Sequence, residues 1–135
     1  MTHTIINPEA LGAPRGWNHG VLGPAGGRLL FVAGQDATGD DGVPEGFVAQ
    51  FARALEKSLA VIREAGGGPA DVARLTIYVT DLAAYRESKE PLGEAYRELM
   101  GRHFPAMALV EVTGLVDPNA VIEIEATAVL GGEGG

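Results

Sequence analysis

Few side chains in this sequence can move a proton near neutrality or form a covalent intermediate. There is no cysteine, and the three histidines stand at positions 3, 19 and 103. Thiolate and disulfide chemistry are therefore excluded. Histidines so dispersed share no ligand spacing on one element, so no metal site is expected and no cofactor is implied. His19 sits in the loop Gly16-Trp17-Asn18-His19-Gly20. Imidazole suits general acid–base work at neutral pH, although a histidine in such a loop can equally cap a turn. Trp17 can stack on a planar ligand or shield a subunit seam. Glu123 and Glu125, two apart in an alternating run, fall on one face of a strand, with Glu125 read as structural or rim-exposed. Gln35 can hydrogen-bond a ligand or close a strand end. His103, between Gly101-Arg102 and Phe104-Pro105, reads as a helix-end residue facing the last carbonyls.

The elements that must carry these residues are legible from periodicity. A short strand is expected at Gly20 to Leu22 and a clear one at Arg28 to Gly34, apolar on both faces and so expected to be covered on both. After a turn rich in Gly and Asp, Phe47, Phe51, Ala54, Leu55, Ser58, Leu59 and Ile62 follow helical spacing, and Gly66-Gly67-Gly68-Pro69 ends that helix. Arg74 to Thr80 alternates, with Leu75, Ile77 and Val79 on one side. Asp81 can cap the following turn, and Pro91 fits the first turn of a second helix with Leu92, Tyr96, Leu99 and Met100 inward. Strands at Ala106 to Thr113 and Ala120 to Leu130 follow, joined by Asp117-Pro118-Asn119. An α+β sheet with both helices on one face results. Its other face is expected to carry Tyr78, Met107, Leu109, Glu123 and Thr127, a half-apolar surface that implies association.

Composition narrows the function classes. The 135 residues, 46% apolar and 21% charged, fit a single domain over residues 1–130, with 131–135 expected to form a disordered glycine-rich tail. A formal charge of −8, with 18 acidic residues against 10 basic ones and no basic stripe, argues against nucleic acid. No apolar run reaches the length of a membrane span and no secretory signal is visible, so a cytoplasmic location is expected.

Four segments in order resemble the Rid (reactive intermediate deaminase, or YjgF) family. Leu30-Phe31-Val32-Ala33-Gly34-Gln35 is similar to a strand ending in Ser-Gly-Gln. Leu75-Thr76-Ile77-Tyr78-Val79-Thr80-Asp81 is similar to Val-Thr-Phe-Leu-Thr-Asp. Phe104-Pro105-Ala106-Met107-Ala108-Leu109-Val110-Glu111-Val112 and the run from Val121 to Ala128 resemble the C-terminal signature. The resemblance spans about Asn7 to Leu130. It implies a chorismate-mutase-like α+β fold, a homotrimer with a central barrel, and small-molecule clefts at the subunit interfaces. Members with the full motif hydrolyse enamines and imines such as 2-aminoacrylate; some are called endoribonucleases or translation inhibitors, a label the acidic charge does not favour.

Residue by residue, the resemblance places Glu123 at the glutamate that handles the proton or the attacking water, and Gly34 at a backbone site beside the substrate. Trp17 and Asn18 stand for the tyrosine and serine of Gly-Pro-Tyr-Ser, with His19 next to them as an assisting acid or base. Gly93 stands where many members carry asparagine. Met107 replaces the carboxylate-binding arginine of Pro-Ala-Arg, and Leu109 replaces a small residue or cysteine. A thioether offers neither the charge nor the planar fork of donors of a guanidinium. The chain thus resembles the arginine-less subgroup. A hydrolase for an enamine, imine or related reactive metabolite is implied, with weak or absent action on 2-aminoacrylate and with Gln35, Met107 and Leu109 among the pocket residues. The alternative is a non-catalytic ligand-binding or regulatory trimer. Arg15, Arg97 and Arg102 are cations from which a replacement charge could come, and nothing in the sequence places them in the cleft.

Overall fold

The structure, a computed structural model, describes residues 3–131. Residues 132–135 of the glycine-rich tail lie outside them. The elements are β1 (Thr4–Ile6), β2 (Gly20–Leu22), β3 (Arg28–Asp36), α1 (Phe47–Glu64), β4 (Val72–Val79), α2 (Leu82–Glu87), α3 (Lys89–Met100), β5 (Ala106–Glu111) and β6 (Ile122–Leu130). The expected elements are present. β1, too short to show a period, and α2, a six-residue helix, are additions to the sequence reading.

α1 forms because its apolar residues return to one face every three or four positions, burying Leu55, Leu59 and Ile62 completely. Each such side chain contributes roughly 1.5–3 kcal/mol of transfer free energy. The helix ends at Gly66 (φ 94), whose left-handed backbone allows Gly66 and Gly67 to donate back to the Arg63 and Ile62 carbonyls. Asp81 caps α2, accepting from the Ala84 N–H at 3.2 Å. Gln50, a buried polar side chain, donates to Pro44 and Asn119 carbonyls and accepts from Val121 N, which ties α1 to the turn before β6.

The main sheet has the order β3-β6-β4-β5, and β1 and β2 form a separate antiparallel pair. β6 is antiparallel to both neighbours, whereas β5 is parallel to β4. The last two strands, consecutive in sequence, are thus not partners: β4 lies between them. One face of the sheet holds Leu75, Ile77, Val79, Ile122, Ile124 and Ala126 against α1 and α3. The opposite face is uncovered in the single chain. Here β3 departs from expectation, since only one of its faces is covered; Leu29 is 63% and Phe31 74% exposed. The helices form one layer, so the second apolar face of this edge strand has no element of the chain to pack on. No helix among the described residues is long and apolar enough to cross a membrane.

Candidate functional site

Strand register decides which candidate residues meet. Tyr78 pairs with Glu123 across β4 and β6, and with Val110 across β4 and β5. Paired residues share a sheet face, so Glu123, Tyr78 and Val110 look out from the open face. Met107 pairs with Leu75 and Leu109 with Ile77, both buried under the helices. Met107 and Leu109 therefore point to the helical face, contrary to the expectation that they share a face with Glu123. The alternation holds within each strand, but the relative phase of β5 and β6 depends on inter-strand register, which one chain's periodicity does not contain. Two separate groups of candidate residues result.

The first group lies on the open face. The β3 register slips between Val32 and Gln35, a bulge that brings Gly34 beside β6. A Cβ on Gly34 would stand 2.5 Å from Glu123 Oε2 and 2.9 Å from its Cδ. The missing side chain is what lets the Glu123 carboxylate lie against the β3 backbone. Gln35 Nε2 donates to the Ala33 carbonyl at 3.3 Å, bridging the bulge in its own strand. The Tyr78 hydroxyl donates to Glu125 Oε1 at 2.6 Å. That hydrogen bond raises the Tyr78 phenol above its ordinary value, with burial and the charges of Glu125 and Glu123 acting the same way. Glu125 is thus held by a structural partner, as expected.

The second group lines a cavity of about 660 Å³ on the helical side. Met107 and Leu109 form its β5 wall, Ile77 and Ile122 its floor, and Phe47 and Phe51 its α1 side. α2 and α3 contribute Tyr85, Lys89, Gly93 and Arg97, and the loop before β2 contributes Arg15 and Trp17. Its size suits a small organic ligand. Tyr96 stacks on Phe104 at 5.2 Å between ring centroids and donates its hydroxyl to the His103 carbonyl at 2.6 Å. Burial pushes its phenol far above the ordinary range, so it acts as a neutral donor.

The loop that carries Trp17 is fastened by Asn18. Its Nδ2 donates to the Phe104 carbonyl, its backbone N–H to Pro105, and its Oδ1 accepts from Asn7. This fixes Trp17, 40% exposed, beside β5. Asn18 thus positions the wall and is not itself among the lining residues. His19 follows the turn-capping alternative: its Nε2 contacts the Gly12 carbonyl at 3.1 Å, and its ring meets Trp17 edge-on at 4.6 Å. It does not line the cavity. His103 also differs from expectation, its Nε2 reaching the Val72 carbonyl at 2.6 Å, not the end of α3. Among the described residues no cluster of three or more His, Cys, Asp or Glu could hold a metal. The sequence reading did not include Lys89, Tyr85 or Phe104, because a cavity between a strand and a helix has no local signature. Arg15 and Arg97 line the cavity, and Arg102 does not.

The family model described as Endoribonuclease L-PSP matches residues 8–130. This chain belongs to the Rid/YjgF family. A RutC family protein of Haemophilus influenzae is 37% identical over 108 residues, covering 76% of this chain and 80% of the relative. The conserved Rid family protein YyfB of Yersinia pestis has a solved structure with a TM-score of 0.79 at 35% identity, covering 96% of this chain and all of that one. Another Rid-fold neighbour, Escherichia coli TdcF with bound serine, has a TM-score of 0.69 at 25% identity and covers 87% of this chain and 97% of its own. The Rid family thus accounts for the mixed α+β architecture and for the matched span, Trp17, Met107 and Glu123 included.

Proposed function

We propose that this Rid protein hydrolyses an enamine, imine or related reactive metabolite in clefts formed between copies of a homotrimer. The observation that carries this reading is the Glu123 carboxylate laid against Gly34 on a face the chain itself leaves open. Within one chain that ledge and the Met107 cavity lie on opposite faces of the sheet, so a complete cleft takes Glu123 and Gly34 from one copy and Trp17, Met107 and Leu109 from the next. The exposed Leu29 and Phe31 on the Glu123 face supply apolar surface for this association.

In the reaction, Glu123 accepts a proton from water as the water oxygen adds to the C=N carbon of the protonated imine, giving the neutral carbinolamine. Glu123 then returns that proton to the nitrogen, the C–N bond breaks to release ammonia, and the hydroxyl proton passes to solvent as the carbonyl forms. His19 serves the site by holding the Trp17 loop. Met107 supplies no donor for the carboxylate of a small imino acid, so action on 2-aminoacrylate is weak or absent. The serine held by TdcF favours a second reading, a ligand-binding trimer without turnover.

Ammonia release from freshly generated imines, with and without a carboxylate, tests this by comparing wild type, Glu123→Ala and Met107→Arg. Turnover by wild type that is lost in Glu123→Ala supports the hydrolase. No turnover of any imine by wild type, with imino-acid turnover appearing in Met107→Arg, leaves the binder.

A further inference from the structure

The cavity beside Met107 has a charge opposite to that of the chain. The chain carries 18 acidic against 10 basic residues, yet Arg15, Lys89 and Arg97 line this cavity and no carboxylate does. Among the described residues the one ion pair is Lys57–Asp36 at 3.7 Å, so none of the three cavity cations is paired with a described carboxylate. Lys89 lies 5.9 Å from the Tyr85 ring centroid, over its face. Arg97 is placed differently. It follows Gly93 by one helical turn, and a Cβ on Gly93 would stand 3.1 Å from its Nη1. Its guanidinium therefore lies back along α3, in the direction helical side chains lean, over a residue whose missing side chain leaves it room.

We propose that Arg97, together with Arg15, forms an anion site for the carboxylate of an organic acid whose apolar or aromatic body packs on Met107, Leu109, Phe104 and Trp17. This rests on the reading of the cavity as the ligand-holding half of the cleft, and it names the substrate class: bulky apolar acids, not acids of two or three carbons. A guanidinium fork matches a carboxylate bidentately, and the remaining walls, mostly apolar around about 660 Å³, leave a short acid with nothing else to contact. The cationic wall lies on α3 and the loop before β2, not on β5, where Met107 stands.

Trp17 is the single tryptophan of the chain and lines the cavity, so its fluorescence reports binding there. The full-length protein is titrated with 3-phenylpropanoate, with the neutral 3-phenylpropanamide and with propanoate. The expected result is a Kd for the aromatic acid at least ten-fold below those of the other two. Arg97→Gln should raise it about ten-fold, to the level of the amide, and Arg97→Lys should restore only part of the preference, since an ammonium lacks the fork. Arg15→Gln, with folding of each variant checked by circular dichroism, provides a second independent substitution. Equal affinity for acid and amide in wild type, or a preference that survives both Arg→Gln changes, overturns the proposal. Ammonia release separates the two readings: acid preference without turnover removes the hydrolase and leaves the anion site, whereas turnover of neutral imines without acid preference does the reverse.

Discussion

The carboxylate of Glu123 occupies space that any side chain on Gly34 would need, with Oε2 only 2.5 Å from the site of a Cβ. The atom in the way is the end of a flexible side chain, so Gly34→Ala should displace the carboxylate at little cost in stability. We expect its melting temperature to stay close to wild type, a change within about 1 kcal/mol, while imine turnover falls to the level of Glu123→Ala. Equal turnover in Gly34→Ala and wild type would show that the ledge does not hold the working carboxylate.

Glu123→Gln keeps the shape of the side chain and removes its basicity. Loss of a general acid–base group costs roughly 10²–10⁴-fold in rate. The expected outcome is a fall of that size in kcat with the fold intact by circular dichroism; a change of less than about three-fold in kcat would assign the proton work elsewhere.

Phe31, 74% exposed on the Glu123 face, should be covered in the assembly. Light scattering on wild type is expected to give about three times the 14.0 kDa chain mass. Phe31→Glu should shift the distribution towards the single chain, because burying an unpaired carboxylate in an apolar seam is costly. A monomeric wild type would remove the composite cleft altogether.

Asn18→Ala removes the side chain that fastens the Trp17 loop to Phe104. The loss of this bond and of the exposed one from Asn7 is worth about 1–2 kcal/mol net, or roughly 3–8 °C in Tm for a domain of this size. The Trp17 emission should move to longer wavelength as the loop loosens. An unchanged Tm and spectrum would show that the backbone bond from Asn18 N–H to the Pro105 carbonyl holds the loop alone.

Tyr78 and Glu125 give a pH signature. The Glu125 hydrogen bond raises the Tyr78 phenol, so the folded state binds a proton more tightly than the unfolded chain. The associated stability is fully present below about pH 10, the ordinary value for tyrosine, and is lost as pH rises through the raised value. Phenolate absorbance should show a high-pH step that Tyr78→Phe removes and Glu125→Gln shifts down. A step unmoved by Glu125→Gln would assign the shift to burial and the Glu123 charge.

Much of the architecture is written locally in the sequence. The three-and-four spacing of Phe51, Leu55, Leu59 and Ile62 dictates α1, and the alternation of Leu75, Ile77 and Val79 dictates β4, because burial acts at the period of the element. The motifs around Met107 and Glu123 identify the family without coordinates. Which of those residues meet is a different matter. Met107 and Glu123 fall on opposite faces because Met107 registers with Leu75 and Glu123 with Tyr78 on the intervening β4, a pairing decided by long-range contacts. The bulge that sets Gly34 under Glu123, the turn of His19 towards Gly12, and the gathering of Arg15 and Arg97 at one cavity share that origin. Periodicity records which side of an element is buried; only tertiary packing fixes what lies on the other side of the gap.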